Sequence, residues 1–142
     1  MKRIVLIALT LVLMLLCCSC AKKTSPTIKF NSDNVNSVVF KSNTDSGCKQ
    51  KLITEKTDIK NICSWLKSIK LTKHSAIEIP TSEVSYIIEI NGKADHKIIV
   101  MDEFLIYDSV AYTFNKKTDL NSIEQKYKLF AYKETDSELG LL

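Results

Sequence analysis

Residues 84–114 read VSYIIEINGKADHKIIVMDEFLIYDSVAYTF, and this run decides the fold. Val84, Tyr86, Ile88 and Ile90 alternate with Ser85, Ile87 and Glu89, the period of two that marks a strand. Asn91-Gly92 is a turn signal, residues 97–101 resume as a strand, and Asp102-Glu103 turns the chain again. Asp108-Ser109 then separates residues 104–107 from residues 110–114 as a tight hairpin. Ile98-Ile99-Val100-Met101 and Phe104-Leu105-Ile106-Tyr107 are apolar at consecutive positions, so both faces of those strands should be covered. Strands joined hairpin to hairpin make an antiparallel meander.

On either side of the meander the period changes to about 3.6 residues. Ile59, Ile62, Cys63, Leu66 and Ile69 share one face of a helix expected over residues 55–70. Thr54 or Thr57 is its expected cap, with Glu55 and Asp58 at the positive end of its dipole and Lys67 and Lys70 at the other end. After the meander, Thr118 should cap a second helix carrying Leu120, Ile123, Tyr127 and Phe130 at helical spacing. Before the first helix, Thr27-Ile28-Lys29-Phe30 reads as a first strand, residues 35–41 as a second, residues 42–47 as a turn-rich link and Lys51-Leu52-Ile53 as a short third strand. Residues 74–82 form a connection that includes a candidate strand at Ala76-Ile77-Glu78-Ile79, and the polar tail, 133–142, reads as loose. Strands, helix, strands, helix in that order predict an α+β class: an antiparallel β-sheet meander with two helices packed on it.

The chain opens with Met1-Lys2-Arg3, an apolar run over residues 4–16 broken only by Thr10, and then Cys17-Cys18-Ser19-Cys20. As a helix the apolar run would rise about 20 Å, short of the roughly 30 Å hydrocarbon core of a bilayer. A basic start, a short apolar middle and small residues at the end are the parts of an export signal. The end resembles the lipobox of bacterial prolipoproteins, in which a branched aliphatic residue and two small residues precede the acceptor cysteine. Cys20 is the acceptor by this likeness, although Cys17 stands where the family has leucine. Leu15-Leu16-Cys17-Cys18 offers Cys18 as the alternative. The resemblance implies residues 1–19 as signal peptide and a cysteine bearing diacylglycerol, whose two acyl chains suffice for stable anchoring, with palmitate as a further acyl chain. It places the protein at the cell membrane on the extracytoplasmic face. Residues 20–26 then form a lipidated tether, of which residues 21–26 reach about 20 Å when extended, and residues 27–132 a single domain. The overall layout, with its acid-capped helix of the I-x-x-I-x-x-W-L type before a meander, looks like that of small, uncharacterised lipoproteins of Gram-positive bacteria. That likeness implies a sheet-and-helix domain and no assigned activity.

The chain of 142 residues holds 20 Lys and Arg against 16 Asp and Glu, and Lys2 and Arg3 leave with the signal. The rest is close to neutral, so no charge argument for nucleic acid remains. Three glycines, Gly47, Gly92 and Gly140, are too far apart to cradle a nucleotide phosphate, and no G-x-S-x-G elbow is present. His74 and His96 have no second histidine at ligand spacing, which argues against a zinc site, and no cofactor is expected. Asp95, Asp102, Glu103 and Asp108 stand at strand ends, where paired carboxylates bind cations or act as acid and base, although acids there more often simply form turns. Cys48 and Cys63 would close a loop of about 15 residues if bridged, worth roughly 3 kcal/mol; a free, buried Cys63 is the alternative. Trp65, the single tryptophan, borders the apolar stripe, either packing at the sheet margin or serving as an interface anchor. Two functions follow: a non-catalytic, membrane-tethered module binding a protein, peptide or envelope component, or a small hydrolase or metal-dependent enzyme built from converging loops. The absence of every local catalytic signature favours the first. Proximity of Asp95, His96, Asp102 and Asp108 in one pocket would favour the second.

Overall fold

In the computed structural model, residues 26–73, 84–101, 104–113, 116–138 and 140 are described, with residues 116–120 described by backbone alone. The signal segment with Cys18 and Cys20, the connection with His74 and residues 76–79, and Asp102-Glu103 all lie outside the described residues. A 3-10 turn at Ser32–Asn34 leads into β1 (Val35–Thr44) and β2 (Gly47–Ile53). Then come α1 (Lys56–Ser68), β3 (Thr72–Lys73), β4 (Val84–Gly92), β5 (His96–Met101), β6 (Phe104–Tyr107), β7 (Val110–Thr113), α2 (Lys116–Leu129) and β8 (Thr135–Asp136). One sheet holds all eight strands in the order β3-β7-β6-β5-β4-β1-β2-β8, and every pairing is antiparallel. The α+β class and the meander are therefore as the periodicity predicts.

Side-chain parity divides the sheet cleanly. Val38, Phe40, Ile88, Ile90, Ile98, Val100 and Leu105 join Ile59, Ile62, Cys63 and Leu66 of α1 and Ile123 and Tyr127 of α2 in one buried cluster, so both helices cover the same face. Val84, Ile87, Ile99, Met101 and Ile106 form a second buried cluster on the opposite face. The consecutive apolar residues of β5 and β6 thus serve two cores, as expected of strands buried on both sides.

Several local expectations are corrected. Thr27-Ile28-Lys29-Phe30 is not a strand. Ile28 is buried (1 % exposed), but β1, the strand that follows, is already paired on one side to β2 and on the other to β4 and has no free side for this segment to join. Val84 belongs to the second cluster rather than to the face of Tyr86, because an irregularity in the β4–β5 register between Val84 and Tyr86 turns it over. Asn91 and Gly92 leave the β5 ladder after the Ile90–His96 pair yet continue β4 alongside β1, and residues 93–95 make the reversal. Glycine is required at position 92, since a Cβ there would fall 2.1 Å from the Asn34 carbonyl oxygen. At the β6–β7 hairpin Asp108 and Ser109 have φ of 47° and 66°, the left-handed pair that a two-residue turn of type I′ needs.

Neither Thr54 nor Thr57 caps α1. Glu55 occupies the cap position without a side-chain cap bond, and the Tyr132 hydroxyl accepts from the Glu55 N–H (3.3 Å) while donating to Asp58 Oδ2 (2.8 Å). Helix α2 begins at Lys116, so Thr118 lies inside it. The tail is not wholly loose: Thr135 and Asp136 pair with Gln50 and Lys49, and the Ser137 N–H donates to the Cys48 carbonyl (3.0 Å).

Candidate functional site

The end of the sheet where β5 starts and β6 meets β7 collects the polar groups that the sequence singles out. Strand pairing opposes β5 to β6, and the tight turn after Tyr107 carries Asp108 back towards His96. His96 Nδ1 lies 2.8 Å from Asp108 Oδ2, while Asp108 Oδ1 accepts from the Lys97 N–H at 3.4 Å. With Asp108 as acceptor, the Nδ1 position carries the ring proton. The Tyr107 hydroxyl, 3.3 Å from the same nitrogen, is then left to donate elsewhere, and it does so to the Lys29 carbonyl at 2.8 Å. Burial, reinforced by the Asp108 charge, pushes the Tyr107 hydroxyl up to about 12, so it remains a proton donor at any ordinary pH.

The cluster therefore holds the segment that leads into the domain. Phe30 packs with its ring centroid 5.8 Å from that of His96, and Lys67 Nζ of α1 sits 5.2 Å from the Phe30 ring on the other side. Thr27, Lys29, Phe30, Asn31 and Lys67 line an open cleft of about 610 Å³. A smaller cleft of about 260 Å³ follows along the same helix, lined by Ser32, Asp33, Val35, Lys56, Ile59 and Lys60.

Asp95 does not join the cluster through its carboxylate, which accepts from the Gly92 N–H at 3.1 Å and so shapes the turn. Among the described residues no group of three or more His, Cys, Asp or Glu side chains is placed to hold a metal ion. None of their helices is long and apolar enough to cross a membrane.

Cys48 and Cys63 are both free thiols. Cys48 pairs with Asn43 and so shares a face with Lys41 and Val39, opposite the helices, whereas Cys63 is buried beneath α1. The sheet lies between them, and the disulfide expectation is corrected on that ground. Burial raises both thiols above their ordinary value, which disfavours the reactive thiolate. Trp65 is half-buried against the helix-side core, and its indole N–H donates to Ser122 Oγ at 3.0 Å, tying α1 to α2.

Three residues outside the sequence-level candidates organise this architecture. Lys51, only 6 % exposed, sends Nζ to the carbonyls of Tyr127 and Phe130 at 2.9 Å each and lies 4.5 Å from the Tyr127 ring, terminating α2. Tyr107 holds the segment at Lys29 on the domain, and Tyr132 ties the stretch after α2 to the start of α1. The signal for Lys51 was present in its parity: it shares a face with Ile53, which marks an inward position occupied by a cation. No family model, curated protein or solved structure matches this chain.

Proposed function

We propose that this chain is a lipid-anchored, extracytoplasmic protein of the cell envelope whose domain acts as a non-catalytic binding or accessory module beside the membrane. The reading is carried by residues 1–20, where a basic start, a short apolar run and Cys20, with Cys18 as alternative, have the layout of an exported prolipoprotein. The site geometry supports the non-catalytic half. Asp108 is committed to orienting His96 and to the Lys97 N–H, and Tyr107 is committed to the Lys29 carbonyl. Among the described residues no serine, threonine or cysteine side chain hydrogen-bonds to His96. Its partner is a protein, peptide or envelope component, reached from a tether of a few residues.

Membrane fractionation of cells expressing the wild type and the Cys18→Ser/Cys20→Ser double variant tests the anchor. The wild type should sediment with membranes and enter the detergent phase on phase separation, and the double variant should be released from membranes. Retention of the double variant in the membrane fraction would overturn the reading.

A further inference from the structure

We infer that one flank of α1, carrying Lys56, Lys60 and Lys67, together with Lys29 and Phe30, is the face that the domain lays on an anionic lipid surface; this rests on the lipid-anchored reading above. At 3.6 residues per turn the three helix lysines fall within about 40° of one another, in a stripe about 16 Å long. Trp65, bonded to α2, lies on the other flank, about 160° away. All three lysines and Lys29 are exposed, and no ion pair among the described residues involves any of them.

The lysines that are ion-paired among the described residues are elsewhere. Lys49 meets Asp136, Lys51 meets Glu134 and Lys128 meets Glu124 around β2, β8 and α2, while Lys41 meets Glu89 on the sheet face opposite the helices. Asp33 is the one acid among the residues lining the two clefts along the stripe, which hold Lys29, Lys56, Lys60 and Lys67. Lys29, Lys56, Lys60 and Lys67, none in an ion pair among the described residues, thus stand together beside the segment that leads into the domain.

The length of that tether selects the occupant. Ile28 is buried, so the domain is fixed from that residue on, and the eight residue-to-residue steps from Cys20 to Ile28 span at most about 28 Å. An acylated Cys20 therefore keeps the lysine flank close to the headgroups, and the intervening sequence adds Lys22 and Lys23. Clustered lysines near an anionic leaflet are attracted within about a Debye length, about 8 Å at physiological salt. Phe30, half-buried between Lys67 and His96, supplies an aromatic edge at the same surface.

The test uses full-length protein expressed in bacteria, purified from the membrane with its lipid and reconstituted on vesicles of phosphatidylcholine alone or with about one third phosphatidylglycerol. Amine acetylation is read residue by residue by mass spectrometry. On the anionic vesicles, acetylation of Lys29, Lys56, Lys60 and Lys67 should slow on the order of fivefold relative to the neutral ones, while Lys128 and Lys133 stay unchanged. The difference should vanish near 1 M salt, where the Debye length is about 3 Å. In the Lys56→Gln/Lys60→Gln/Lys67→Gln variant, whose changes are all at exposed positions, protection of Lys29 should be lost. Vesicle-bound protein that acetylates equally on both compositions overturns this orientation and leaves the anchor standing. Protein that associates with neither vesicle overturns the anchor and the orientation together.

Discussion

At the scale of single residues, the least conventional choice in the fold is Lys51. A cation in the helix-side layer sits where an apolar residue would be expected, and its place follows from the two carbonyls it serves at the end of α2. Lys51→Met keeps the volume but strips Tyr127 and Phe130 of their donor, and should destabilise the domain by about 2 kcal/mol in urea unfolding followed by Trp65 fluorescence. Ser109 makes the opposite case. Its φ of 66° suits glycine better, so Ser109→Gly should raise stability by about 1 kcal/mol in the same assay. At position 92 the close approach of the Asn34 carbonyl admits no Cβ, and Gly92→Ala should cost on the order of 2 kcal/mol. Tyr107 brings a pH dependence. Its hydroxyl is raised from the ordinary value near 10 to about 12, so the native state holds this proton more tightly than the unfolded chain does. The contribution is fully present below about pH 10 and declines as pH rises towards 12, because the unfolded chain then binds fewer protons. Stability measured from pH 9 to 12 should fall less steeply in Tyr107→Phe than in the wild type, while other buried tyrosines keep part of the slope.

At the scale of elements, what the sequence made legible depended on burial. Helix α1 presents its predicted apolar face almost residue for residue, because a helix packed on one side must repeat that side's chemistry every 3.6 residues. The paired cores of β5 and β6 were readable for the same reason. What escaped was set by the backbone or by distant partners. The register irregularity that flips Val84 leaves no compositional trace, and β8 is two polar residues held by main-chain pairing and the Lys49–Asp136 ion pair. Thr27-Ile28-Lys29-Phe30 has the alternation of a strand, yet β1 beside it is paired on both sides, and Ile28 is buried while Lys29 offers its carbonyl to Tyr107. The start of α1 was misread because its N-terminal N–H finds a tyrosine from far along the chain rather than a neighbouring threonine. Tyr132→Phe removes that link and the bond to Asp58, and should cost about 1 kcal/mol, with faster amide exchange in the first turn of α1.

At the scale of the whole molecule, the sheet end that gathers the candidate polar residues also holds the segment that leads into the domain. His96 packs on Phe30 and Tyr107 bonds the Lys29 carbonyl, while Asp108 orients His96. Of the four groups whose convergence would have favoured an enzyme, His96 and Asp108 are brought together, Asp95 shapes a turn, and Asp102 lies outside the described residues. The sequence suggested the carboxylate and the imidazole but not Tyr107, whose hydroxyl meets the Lys29 carbonyl only once the folded chain brings the two into range. The most direct check is the mass of the N-terminal peptide of the mature protein extracted from membranes. The account predicts a chain beginning at Cys20, or at Cys18, with that cysteine bearing diacylglycerol. An unmodified N-terminus at any other residue would contradict it.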